Sequence, residues 1–192
     1  MENDLTCTAF AGEQLVASGP LAEMLPATKA RYDAGGNHLL FIFDDRTGKP
    51  VDFDLRGSLD EVLARALPRP APAGPGRPRL GVVSREISLL PRHWEWLEHQ
   101  PNGASAALRR LVDEARKREP GKQRARMAAD AAFRFMSAMA GNLPHFEEAG
   151  RALYAGNRAG FDDLIRDWPP DIRAHVLRLV QDAFLSSDTD PA

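Results

Sequence analysis

Five of the eleven residues in the run Pro68-Arg69-Pro70-Ala71-Pro72-Ala73-Gly74-Pro75-Gly76-Arg77-Pro78 are proline. Each proline holds φ near about −65° and removes a backbone donor, so neither a helix interior nor a central strand passes through such a run. It reads as an extended spacer, and it divides the chain. The division expected is a small α+β domain over 1–67, the linker over 68–78, a strand-helix-helix unit over 79–118 and a helical region over 119–192. With 192 residues, 43% apolar and 27% charged, the chain is long enough to bury a core without staples and too apolar to be disordered throughout.

Before the spacer, Leu5 to Phe10 and Gln14 to Ala17 read as strands joined through Gly12. Leu21, Met24, Leu25 and Thr28 recur at helical spacing, with Pro26 as a local irritant, and Gly35-Gly36-Asn37 supplies a stop. His38 to Asp44 reads as a buried strand. Val51, Phe53 and Leu55 alternate with Asp52 and Asp54, which predicts a further strand. Between them, Asp45-Arg46-Thr47-Gly48-Lys49 has hairpin-turn composition. Ser58 and Glu61 form a capping box opening a helix with Val62, Leu63 and Ala66. The expected order is ββαββα within an α+β protein.

Beyond the spacer, Leu80 to Leu90 reads as a strand and Pro91 as the first residue of a helix, where its missing N–H costs nothing. Pro101-Asn102-Gly103 ends that helix. Ser105 is placed to cap a second one with Ala107, Leu108, Leu111 and Val112 on one face and Arg109, Arg110, Asp113, Arg116 and Lys117 on the other. From Gln123 the pattern is helical to Phe184, broken near Gly141-Asn142, Gly156-Asn157 and Trp168-Pro169-Pro170, and the tail from Ser186 reads as frayed.

The net charge of −2 conceals an uneven distribution. Met1–Pro68 carries 6 Lys and Arg against 11 Asp and Glu, Arg69–Arg134 carries 14 against 7, and Phe135–Ala192 carries 5 against 9. A basic middle directs attention to phosphate. Within it, Leu89-Leu90-Pro91 entering a helix, Gly103-Ala104-Ser105 and the pair Arg109-Arg110 resemble the ribbon-helix-helix class of bacterial repressors and antitoxins. In that class two chains pair their strands into a ribbon lying in the DNA major groove, and the amino end of the second helix clasps a phosphate. The resemblance implies that Ser105 meets phosphate with Arg109 and Arg110 in support, and that Arg85, Ile87 and Leu89 face the groove. Of those three only Arg85 can hydrogen-bond base edges. Arg116, Lys117 and Arg118, with Lys122, Arg124 and Arg126, extend the basic stretch across Pro120-Gly121. The expected partners are the DNA phosphate backbone and a second copy of the chain.

Over nearly its whole length the chain also resembles an uncharacterised bacterial family, domain of unknown function 2239. The resemblance is carried by Cys7-Thr8-Ala9-Phe10 with Gly12, Phe43-Asp44-Asp45 with Thr47-Gly48, and Asp52-Phe53-Asp54-Leu55-Arg56-Gly57. Arg77-Pro78 before Leu80-Gly81-Val82-Val83, Phe135-Met136-Ser137-Ala138-Met139-Ala140-Gly141 and Asp167-Trp168-Pro169 complete it. It implies a bacterial cytoplasmic protein and supplies no activity.

Other chemistry is thinly represented. Cys7 is the single cysteine, so no intrachain disulfide forms, and it reads as a small buried hydrophobe in a reducing cytoplasm. The acidic start Met1-Glu2-Asn3-Asp4 lacks secretory-signal character, and the run Leu39–Phe43 is far short of the roughly 20 apolar residues that span a bilayer. Asp44, Asp45, Asp52 and Asp54 crowd one hairpin but read as a solvated face countered by Arg46, Lys49 and Arg56. No metal, cofactor, catalytic residue or small-molecule substrate is legible, and an enzyme is the weakest reading. Trp94 and Trp96 cannot share a helix face, so one is expected in the local core. The leading expectation is a non-enzymatic DNA-binding or regulatory protein acting through 79–118, and the alternative is an adaptor that uses the same segment to bind protein or its own copy.

Overall fold

The computed structural model describes residues 5–35, 39–67, 85–118 and 120–184. The spacer, residues 80–84 of the Leu80–Leu90 segment and the tail lie outside the described residues. The chain divides into two compact units, one made of Met1–Arg69 with Gly121–Ala192 and the other of Pro70–Pro120. The fold is α+β.

The discontinuous unit is organised by its first strand. β1 (Thr6–Ala11) pairs antiparallel with β2 (Gln14–Pro20) on one side and β3 (Leu40–Asp44) on the other. Side chains alternate across a sheet, and both faces of β1 are buried. Cys7 and Ala9 point to a cluster with Met24 and Leu25 of α1 (Leu21–Asp33), with Leu55, and with Val62 of α2 (Leu59–Ala66). Phe10, together with Phe43 of β3, points to a second and larger cluster. That cluster is completed by residues of the chain's later helices, more than a hundred positions after Phe10. They are Ala132, Phe135 and Met136 of α5 (Pro120–Met139), Leu153 of α6 (Phe146–Tyr154), Phe161 of α7 (Arg158–Leu164) and Ile172 and Val176 of α8 (Pro170–Leu179). Phe184 of α9 (Gln181–Phe184) closes it. Helices α5 to α9, in a region expected apart from 1–67, thus cover the sheet's second face.

Local sequence explains most of the elements. α1 continues through Pro26, because burying Leu21, Met24, Leu25 and Thr28 on the sheet offsets the roughly 3 kcal/mol that an interior proline costs. Ser58 and Glu61 form the capping box of α2: Glu61 N–H donates to Ser58 Oγ at 3.3 Å, and Ser58 N–H donates to Glu61 Oε2 at 2.7 Å. Pro170 stands at the first position of α8, and Asp171 Oδ2 accepts from Leu15 N–H at 2.8 Å, tying this helix to β2. The helix expected to reach Ala183 ends at Leu179, and α9 follows after Val180.

The strand expected over Val51–Leu55 is not formed. Phe43 and Pro50 make an isolated bridge and Val51 N–H donates to Ile42 O at 2.8 Å, but the pairing goes no further. Pro50 has no N–H to give a ladder, and Arg65 of α2 draws the segment away by donating to the carbonyls of Asp54 and Arg56. The order before the spacer is therefore ββαβα among the described residues. The turn between does form: Gly48 takes φ +66°, and a Cβ there would lie 1.8 Å from Ala131 O of α5. Arg134 Nη1 donates to Thr47 O at 3.0 Å in the same place. The small residues of α5 allow helix and turn to approach this closely.

The second unit contains α3 (Pro91–Glu98) and α4 (Gly103–Arg118). Pro91 opens α3 as expected, and Asn102 and Gly103 turn the chain with φ of +68° and +78°. Residues 85–90, read as the end of a strand, are not in a strand. α4 begins at Gly103, so Ser105 lies inside the helix and is not its cap.

Candidate functional site

The ten basic and polar residues singled out from the sequence fall on both units. Arg85 is exposed on the non-helical stretch before α3. Ser105, Arg109, Arg110 and Lys117 are exposed on α4, which also carries Arg116 and Arg118. Lys122, Arg124 and Arg126 are exposed in the first turns of α5, in the other unit. Arg109 Nε donates to the Ser105 carbonyl at 3.2 Å, and Arg110 Nη2 donates to Gln100 Oε1 at 3.2 Å while its Nε lies 3.9 Å from Glu114. The ribbon-helix-helix geometry is not shown: residues 85–90, which include Arg85, are not in a strand, and Ser105 is displaced from the helix end.

The apolar side chains of this unit are more telling. Among its described residues only Leu97 and Ala107 are buried. Trp94 and Trp96 are 38% and 49% exposed, contrary to the expectation that one would enter a core, and Leu111 and Val112 of α4 are 40% and 56% exposed. Ile87 and Leu90 are likewise about half exposed. Among the described residues these two buried side chains are too few to make a core that would take the tryptophans. Arg109, Arg110 and Lys117 share α4 with Asp113 and Glu114, so both charge signs border the apolar positions.

A different cluster lies in the discontinuous unit, at the seam between the sheet and α8. Thr8 is fully buried on β1; its Oγ1 donates to Asp45 Oδ1 at 2.6 Å and lies 2.8 Å from Ser18 Oγ of β2. Arg178 Nη2 lies within donating distance of Thr8 Oγ1, Ser18 Oγ and His175 Nδ1, at 2.9, 3.0 and 2.6 Å. His175 is 2% exposed, with ring contacts to Phe10 and Phe135 at centroid distances of 5.6 and 4.3 Å. Since Nδ1 accepts from an arginine, the ring proton resides on Nε2. That atom is buried without a hydrogen-bond partner, 3.8 Å from Asp45 Oδ1.

The environment sets the charge states. Burial, reinforced by the Arg178 charge, pushes His175 down to about 3, so it is neutral at physiological pH. Burial raises the Asp45 carboxyl above its ordinary range, against the hydrogen bond from Thr8 and the Arg178 charge. Burial and the neighbouring Asp45 and Asp44 carboxylates push the Cys7 thiol up to about 12, which makes it inert as a nucleophile. The four aspartates of the turn region diverge. Asp45 turns inward, whereas exposed Asp54 is held down to about 2 by hydrogen bonds from Arg56. Among the described residues no three His, Cys, Asp or Glu side chains are placed to hold a metal ion. No helix there is long and apolar enough to cross a membrane.

Most of the segments that carry the family resemblance lie in this unit: Cys7–Phe10 in β1, Phe43–Gly48 at the turn, Asp52–Gly57 before α2, Phe135–Gly141 at the end of α5, and Asp167–Pro169 before α8, whereas Arg77–Val83 lies outside the described residues. The sequence profile of a bacterial family, described as an uncharacterized protein conserved in bacteria (DUF2239), matches residues 6–180. The chain belongs to the DUF2239 family. No curated protein and no solved structure matches it. Sequence reasoning missed the polar cluster of this chain because its members are dispersed: Thr8 and Arg178 are 170 positions apart. Asp45 stood out only as one of four acidic residues, and the strongest available signal was His175 within an otherwise apolar helix register.

Proposed function

We propose that this is a non-enzymatic, cytoplasmic regulatory protein of bacteria that works by association, pairing with a second copy of itself through the α3–α4 hairpin. The observation that carries this reading is the exposure of Trp94, Trp96, Leu111 and Val112 on a unit with two buried side chains among its described residues. A unit of this size is marginal without further burial, and two helical hairpins set face to face form a four-helix bundle. The mixed charges of α4 suit a two-fold arrangement, in which Arg109 or Arg110 of one copy meets Asp113 or Glu114 of the other. Sedimentation equilibrium tests it. A dimer is expected at about 10–100 μM and should persist near about 0.5 M salt, since apolar burial is not screened. Val112→Glu should shift the protein toward monomer while its circular dichroism stays unchanged. A monomer at every concentration would refute the proposal.

A second reading keeps nucleic acid as the partner, supported by the exposed Arg109, Arg110 and Lys117 on one helix. Attraction to phosphate requires no ribbon and no base reader. It predicts a gel shift with mixed duplex DNA at low salt that weakens steeply as salt rises and weakens again in the double variant Arg109→Ala, Arg110→Ala. No shift at low salt would eliminate it.

A further inference from the structure

The Asp45–Arg178 cluster opens on one side into a cleft of about 390 Å³ within the discontinuous unit. Its polar wall carries three guanidiniums from three places in the chain: Arg46 from the turn after β3, Arg124 from the first turns of α5, and Arg178 from α8. Asp45 and Asp182 also line it, and Met127 and Leu179 supply apolar lining. Arg178 is already held by Thr8, Ser18 and His175. Arg46 and Arg124 are exposed, and their guanidiniums have no hydrogen-bond or ion-pair partner among the described residues.

We infer that this cleft is a binding site for a small phosphate monoester carrying a ring, of the size of a mononucleotide. Guanidinium forks match phosphate oxygens in pairs, and that complementarity distinguishes arginine from lysine at such sites. Arg178 is pre-oriented by its contacts to the buried cluster, so it loses little freedom on binding, while Arg46 and Arg124 supply the unpaired donors. The volume is within the range of small-ligand clefts and holds one ring beside one phosphate. Met127 and Leu179 offer the surface against which the ring packs, and the two carboxylates are acceptors for ligand hydroxyls. The site is independent of the α3–α4 hairpin and stands whether or not that hairpin pairs.

Isothermal titration calorimetry on the full chain separates the contributions, using adenosine 5′-monophosphate, adenosine and inorganic phosphate as probes. The monophosphate is expected to bind at least about tenfold more tightly than either of the others, a difference of about 1.4 kcal/mol. Arg46→Ala and Arg124→Ala, both at exposed positions, should each weaken it about tenfold or more with unchanged circular dichroism. Val112→Glu should leave it unaffected. Binding of adenosine as tight as the monophosphate would overturn the phosphate assignment, and inorganic phosphate binding as tightly would overturn the ring wall. Absence of binding by all three, or binding indifferent to both arginine variants, would overturn the site.

Discussion

His175 makes the stability of the discontinuous unit depend on pH in a way that can be worked out beforehand. In the unfolded chain its imidazole takes a proton near its ordinary value of 6.5, whereas in the folded protein burial delays protonation to about 3. Below 6.5 the unfolded state therefore binds more protons, so the contribution is fully present above that pH and is lost as pH falls toward 3. Each pH unit in the window is worth about 1.4 kcal/mol, so at pH 4.5 the loss is on the order of 3 kcal/mol. Asp45, whose folded carboxyl is raised, acts in the opposite sense: its protonation favours the folded state as pH falls and offsets part of that loss. The informative comparison is with His175→Gln, whose side-chain oxygen can still accept from Arg178 but does not titrate. Urea denaturation of both proteins from pH 7.5 to 4.5 gives two stability curves in which the other carboxylates largely cancel. The wild-type curve should fall more steeply, converging on the variant by roughly 2–3 kcal/mol over the window. Parallel curves would refute the buried neutral imidazole.

Gly48→Ala places a methyl group against the Ala131 carbonyl at a backbone angle that disfavours side chains. It should cost at least about 2 kcal/mol by chemical denaturation, and a change under about 0.5 kcal/mol would show that turn and helix are not in register. Ser58→Ala removes the hydroxyl half of the α2 capping box and should cost about 1 kcal/mol, with Ser58→Asp restoring most of it. An unaltered unfolding midpoint in the alanine variant would mean that the cap is dispensable.

The elements of the sheet unit are legible wherever the signal is local. The capping box at Ser58, the turn at Gly48 and the break at Trp168-Pro169-Pro170 each act over a few residues, and each stands where the sequence places it, as does the proline entry of α3 in the other unit. Val51–Leu55 alternates convincingly but has no partner ladder, since Pro50 withholds its N–H and Arg65 captures the next carbonyls. Alternation reports a half-buried extended segment, and only pairing makes it a strand. The proline-rich spacer suggests that everything after Pro78 is separate, yet only residues 70–120 stand apart. Helices α5 to α9 return to cover Phe10 and Phe43, and nothing local in either segment announces the other. The polar cluster is hidden for the same reason, because Thr8, Asp45 and His175 acquire their chemistry only when the sheet meets α8. On α4, Arg109, Arg110 and Lys117 are exposed, as their spacing implies, but Leu111 and Val112 point to a core that the described part of the unit does not possess.

Closure of the sheet by distant helices has a consequence for synthesis on the ribosome. Thr8 and its partner Arg178 are 170 positions apart; at about 5–20 residues per second the nascent strand waits roughly 10–30 s for that arginine to be made. Until α5 and α8 are made the Phe10–Phe43 face has no cover from them, whereas α1 and α2, which close the Cys7–Ala9 face, are made well before. The nascent chain thus passes through a stage in which a finished half-layer presents a bare aromatic surface, which is the kind of surface that chaperones hold.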